Sequence, residues 1–209
     1  MAANYDNAAW FYERLSKLVF GQTQVIAQEY FLNLIKPCSK VLIIGGGTGE
    51  LLESLTRLHP SGLQITYVEI SAKMMALSRR RNVGGNQVTY ITAGIEEVNL
   101  SSTFDVVITA FLFDNFSEEG LAKVFPLINA QVEPGGLWLN TDFQLTGPFW
   151  QKLMLKGMYL FFKLLRAVEV TRPPNVIETF KEYGYRLNEE KAFYGNFIIA
   201  AVYQKQPAV

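Results

Sequence analysis

Apolar residues along this chain fall into two alternating patterns: short, near-continuous runs, and longer stretches with apolar positions three and four apart. The runs at residues 41–44, 64–69, 87–91 and 105–110 predict strands, and the first, wholly apolar, predicts one buried on both faces. Residues 50–59 and 72–80 predict helices, the first ending before Pro60 with a turn at Ser61-Gly62, the second with Ser71 as N-cap. Ser117 caps a further predicted helix that has Glu118 and Glu119 in its first turn, where carboxylates suit the helix dipole. Val132-Glu133-Pro134-Gly135-Gly136 predicts a chain reversal into a fifth strand, residues 137–143. A long helix over 150–167 and a shorter one over 175–183 follow, then strands at 185–194 and 197–203 joined by a tight hairpin at Gly195-Asn196. Ahead of all this, residues 5–36 predict two helices broken at Gly21, with Tyr5, Trp10, Tyr12, Leu15, Leu18 and Phe20 crowded into the first.

The chemistry concentrates where the first strand ends. Gly45, Gly46, Gly47, Thr48 and Gly49 turn the chain from strand into helix. Glycine serves where φ is positive or where a ligand must approach closer than a Cβ allows, so a ligand is expected against this main chain. The dinucleotide fingerprint would need glycine where this chain has Glu50, and a carboxylate there repels a pyrophosphate. Twenty residues past Gly49 the second strand ends in Glu69, an acidic group able to accept hydrogen bonds from both hydroxyls of a ribose.

The spacing Gly45-x-Gly47-x-Gly49, the string Val68-Glu69-Ile70-Ser71 with Met74 and Arg79 beyond, and the Pro134-Gly135-Gly136 turn resemble the signatures of class I S-adenosylmethionine-dependent methyltransferases, in order, over residues 41–204. That resemblance implies an α/β, Rossmann-like methyltransferase fold: a mostly parallel seven-stranded sheet, an antiparallel C-terminal hairpin, and helices on both faces. It implies S-adenosyl-L-methionine as cofactor. It assigns cofactor contacts to the glycine turn with Thr48, to Glu69 and Ile70, to Gly94 and Ile95 beside the adenine, and to Thr109, Ala110 and Phe111 after the fourth strand. Residues 5–21 resemble the opening of quinone-biosynthesis methyltransferases in spacing more than identity. Two positions depart from the family pattern. Ile43 and Gly94 stand where acidic residues usually hold the methionine amino group and the adenine amino group. A non-catalytic member of the fold, binding a nucleoside-type ligand or a partner protein, is the alternative those departures support.

Composition narrows the picture. At 209 residues the chain reads as one domain, a helical extension over 1–36 and a core over 37–209. Nineteen basic and nineteen acidic residues leave no net charge, which argues against a nucleic-acid surface. The single Cys38 excludes an internal disulfide and is expected as a small buried thiol. The opening MAANYDN lacks a signal-peptide pattern, so a cytoplasmic location is expected. His59, the only histidine, closes a predicted helix far from the ligand edge and reads as structural.

A sulfonium methyl needs little from the protein beyond alignment, and a base only where the acceptor must lose a proton. Asp114 and Asp142, on the loops after strands four and five, are the candidates. The motif that grips planar amino groups is missing after strand four, so the expected acceptor is a small molecule rather than a nucleobase or glutamine amide. In the 150–167 helix Lys152, Lys156, Tyr159, Lys163 and Arg166 fall on one stripe at 100° per residue. Two readings follow: a helix buried on three sides with this stripe solvated, or a greasy helix beside a lipophilic pocket or against a membrane surface.

Overall fold

The computed structural model describes residues 17–164 and 173–207, and the side chains of 161–164 are not among them. Tyr5, Trp10, Tyr12, Leu15, Arg166 and Ala167 lie outside the described residues, and Lys163 outside the described side chains. Residues 17–20 are helical, Gly21 turns the chain at φ +60°, and α1 spans Thr23–Glu29. There follow β1 Lys40–Ile44, α2 Glu50–Leu58, β2 Ser61–Val68, α3 Ala72–Ser78, β3 Gly85–Ile91, β4 Phe104–Ala110, α4 Glu118–Gln131, β5 Val132–Phe143, α5 Phe149–Leu164, α6 Val176–Glu182, β6 Tyr185–Phe193 and β7 Ile198–Lys205.

The seven strands form one sheet in the order β3-β2-β1-β4-β5-β7-β6. β7 alone runs against its neighbours, β5 and β6, and the other adjacent pairs are parallel. β1 is an interior strand between β2 and β4, and its alternate residues explain why no polar side chain is tolerated there. Val41 and Ile43 pack into one core with Leu51, Leu52 and Leu55 of α2; Leu42 and Ile44 pack into a second with Phe113, Phe125, Trp138 and Phe180. Each such buried side chain contributes about 1.5–3 kcal/mol. A third, smaller core joins Phe20 and Ala27 to Phe143, Leu155, Tyr159 and Phe197 at the edge of the sheet where the parallel strands end.

Several local expectations change. Ser61 and Gly62 belong to β2, Ser61 pairing with Gly85 before an irregularity, because Gly62 takes the left-handed φ of +93° that the bend needs. Cys38 is exposed at φ +63°, so it turns the chain into β1 instead of filling the core. The Pro-Gly-Gly reversal is a four-residue excursion inside β5, since Val132 pairs with Phe104 and Leu137 with Val106. The hairpin turn runs over 194–197, with Tyr194, Gly195 and Asn196 all left-handed. Ser71, Ser117 and Asn175 each cap the helix that follows.

α5 is not buried on three sides. Gln151, Leu155 and Tyr159, four apart, form a single buried stripe. Phe149, Leu153 and Leu160 face outward, 78%, 62% and 62% exposed, with Lys152 and Lys156 exposed beside them. Tyr159, expected on the solvated stripe, is instead tucked in, its hydroxyl donating to the Asp114 carbonyl at 3.0 Å. Among the described residues no helix is long and apolar enough to cross a membrane.

Candidate active site

The glycine turn leaves β1 with Gly45 at φ +67°, Gly47 at +61° and Gly49 at +87°. A Cβ on Gly46 would stand 2.3 Å from the Tyr67 ring, so glycine is required there whatever the ligand. Tyr67, opposite Ile43 in the sheet, donates its hydroxyl to the Gly47 carbonyl at 3.0 Å. Burial, with Glu69 close by, pushes that phenol well above its ordinary pKa, which keeps it a donor. Arg81 reaches over from beyond α3, its Nε donating to the Thr48 carbonyl at 3.0 Å while its Nη1 pairs with Glu53. The turn is therefore held from behind before any ligand arrives.

Glu69 follows β2 directly and is buried. Its Oε2 accepts from the Gly47 N–H at 2.9 Å and its Oε1 from the Ser71 N–H at 2.7 Å. The carboxylate thus ties the turn to the start of α3.

These groups open into one cavity of about 400 Å³. Gly45, Gly46, Gly47, Thr48, Glu69 and Ile70 form one wall, and Gly94, Ile95, Ala110, Phe111 and Asp114 complete the expected set found there. Gly49, Thr109 and Asp142 do not line it. Gly49 is the N-cap of α2. The Thr109 hydroxyl is engaged inside the core with Asn140 and Trp138. Ile43 is in the core beneath α2.

Beyond the turn the cavity becomes apolar, walled by Val19, Phe20, Phe111, Phe143, Met154 and Met158. Phe111 sits at φ +52°, a strained conformation for a bulky residue, fixed by its N–H on the Thr141 carbonyl at 2.7 Å and by Asn115 on its own carbonyl at 2.9 Å. Asp114 faces this end. Asp142 lies just behind, its Oδ2 accepting from the Phe113 N–H at 3.0 Å and its Oδ1 from the Phe143 N–H at 2.9 Å. Burial pushes Asp142 up to about 7, its backbone hydrogen bonds pulling the other way. Burial first, and then the Asp142 charge, push Asp114 well above the carboxylate range. Two desolvated carboxyls this close cannot both ionise near neutrality.

Sequence reasoning assigned Gly94 and Ile95 to the adenine but gave Glu96 of the same loop no role. Glu96 lines the cavity in the turn after Gly94, and its Oε2 would lie 3.0 Å from a Cβ on Gly94. The glycine that removes the expected acid makes room for a carboxylate two residues on, and an acid two places after such a glycine is the signal that could have found it. Gln24 and Gln28, also on the lining, carried no signal, because the approach of α1 to this edge is a tertiary fact.

A family model described as "Methyltransferase domain" matches residues 41–136, from β1 to the end of the Pro-Gly-Gly excursion. The ubiquinone/menaquinone biosynthesis C-methyltransferase of Wigglesworthia glossinidia brevipalpis is 28% identical over 147 residues, 66% of this chain and 57% of that protein. The corresponding enzyme of Saccharophagus degradans is 29% identical over 175 residues, 79% of this chain and 67% of that protein. The chain thus spans little more than half to two thirds of these relatives' length. Among solved structures, the magnesium protoporphyrin IX methyltransferase of Synechocystis, with bound S-adenosylhomocysteine, superposes with a TM-score of 0.70 at 13% identity, covering 97% of each chain. Residues 41–136 thus match a methyltransferase domain, and the fold is the Rossmann-like one of solved methyltransferases.

Proposed function

We propose that this chain transfers a methyl group from S-adenosylmethionine to a small, apolar acceptor. The observation that carries the reading is one continuous cavity that runs from the glycine turn and Glu69 to an apolar chamber ending at Asp114. The residues fit the cofactor: the turn offers main chain free of Cβ atoms, Glu69 stands at the position for a ribose, and Glu96 stands beside Gly94 for an adenine amino group. When bound, the cofactor would supply the electrophile, a methyl group on a sulfonium sulfur. The chain's own part is to hold the acceptor in line, exclude water with Phe20, Phe143 and Met158, and accept at the Asp114–Asp142 pair any proton the acceptor loses. Asp114 would meet the acceptor directly, and Asp142 would act through it.

The reading treats the chain as one domain whose N-terminal helices approach the acceptor end, as Val19 and Phe20 do. It includes peripheral contact of α5 with an anionic membrane surface, supported by the outward Phe149, Leu153 and Leu160 with Lys152 and Lys156 alongside. The location it implies is the cytoplasm, which suits a lone exposed thiol. The deciding experiment is titration calorimetry with S-adenosylmethionine and, separately, with NAD, followed by methyl transfer from labelled cofactor to a panel of apolar aromatic hydroxyl compounds. Saturable S-adenosylmethionine binding with labelled product supports the reading. Binding of NAD alone, or cofactor binding without product from any acceptor, overturns it.

A further inference from the structure

Charge is distributed unevenly around the cavity. Its lining carries Glu50, Glu69, Glu96 and Asp114, and no lysine, arginine or histidine among the described residues. Two of the four are already answered: Glu50 by Lys17 at the rim, and Glu69 by the N–H groups of Gly47 and Ser71. Glu50, Glu69 and Glu96 all belong to the glycine-turn and adenine walls. In the acceptor half, between Phe20, Phe111, Phe143, Met154 and Met158, Asp114 is the only ionisable lining group among the described residues, with Asp142 behind it and the Tyr159 hydroxyl engaged on the Asp114 carbonyl. The α5 cations with described side chains, Lys152 and Lys156, are exposed and do not line the cavity.

We infer that the acceptor half selects an uncharged molecule and rejects carboxylate- and phosphate-bearing ones, with Asp114 as the residue that sets this preference. The inference deepens the methyl-transfer reading and rests on it. An anion entering this chamber would leave water for phenylalanine and methionine walls, find no counter-charge among the described residues, and approach a carboxyl pair that resists taking up even its own second negative charge. A neutral hydroxyl or carbonyl meets the opposite conditions. Burial and the Asp142 charge favour the protonated form of Asp114, so its carboxyl can donate to such a group.

The test uses two ligands of one shape, 2-naphthamide and 2-naphthoate, titrated at pH 8 into the full chain with and without saturating S-adenosylhomocysteine. The amide should bind at least about 10-fold tighter than the carboxylate. Met158→Arg, which adds a cation to the chamber, should shrink or reverse that ratio. If the variant does not fold, the wild-type ratio still decides. Naphthoate binding as tightly as naphthamide, or neither binding, overturns the inference. Failure of S-adenosylmethionine to bind overturns the methyl-transfer reading instead, and the ratio measured without nucleoside remains readable.

Discussion

Glu69 serves two ends at once. It braces the turn through Gly47 and the start of α3 through Ser71, and it lines the cavity. A hydrogen bond to a charged group is worth ~1.5–3 kcal/mol, so Glu69→Ala should weaken S-adenosylmethionine binding about 10-fold or more. Unchanged affinity by calorimetry, in a variant with a normal circular dichroism spectrum, would remove Glu69 from the site. The aspartate pair makes a prediction about pH. Asp142 has its pKa raised from 3.8 to about 7, so the folded state holds a proton that the unfolded chain has released. Its contribution to stability is therefore full below about pH 4 and is lost as pH rises through about 7, the reverse of a salt-bridged carboxylate. Urea midpoints measured from pH 5 to pH 8 should fall, and Asp114→Asn, neutral and nearly isosteric, should flatten the slope. Methyl transfer to a hydroxyl acceptor should move oppositely and rise through about pH 7 as the pair gains a vacancy for a proton. Both aspartates were expected on loops, but Asp142 lies within β5, paired with Ile199, and the burial of the two was not visible in the sequence. Nothing in Phe111-Leu112-Phe113 announces a three-residue helical turn that carries Asp114 inward.

At the scale of elements, α5 separates the two readings that its periodicity allowed. A single buried stripe at Gln151, Leu155 and Tyr159 is enough to dock it, because Gln151 bonds to Thr146 and to the Gly195 carbonyl, and Tyr159 to the Asp114 carbonyl. The outward leucines are then left over. Vesicles containing phosphatidylserine should bring the protein down on sedimentation, and those of phosphatidylcholine alone should do so less. The double variant Leu153→Glu, Leu160→Glu should lose most of that binding while its melting temperature stays within about 2 °C, since exposed substitutions cost little. Protein that remains in the supernatant with both vesicle types would refute membrane contact. The strands were far more legible. β1, β4, β6 and β7 were readable to within a residue or two, because a buried strand must be continuously apolar and a hairpin needs left-handed residues at its tip. Gly62 and the long β2 were not, because a glycine in a bulge and a glycine in a turn look alike in sequence.

For the whole molecule, the sheet order brings the ends of β1, β2, β4 and β5 to one edge, and the cavity lies where the loops from those ends meet α1 and α5. The motifs made the cofactor half of that edge legible, because each motif is a local backbone requirement. The acceptor half depends on which side chains of two distant helices converge, and no local pattern encodes that. A ligand that binds only the folded chain stabilises it by RT ln(1 + [L]/Kd), about 2.7 kcal/mol at a hundred times Kd. S-adenosylmethionine should therefore raise the melting temperature by several degrees, and NAD should not; equal shifts would point to nonspecific binding. The contact between Gly46 and the Tyr67 ring has a consequence for descent. A side chain at 46 and the ring at 67 exclude each other, so position 46 cannot gain a Cβ while the ring stays. Gly46→Ala should abolish folding or cofactor binding in the wild-type background and be tolerated better with Tyr67→Ala beside it. Inheritance is therefore ordered: divergent copies of this chain with a side chain at 46 should have lost the ring at 67 first, whereas loss of the ring alone is open to them.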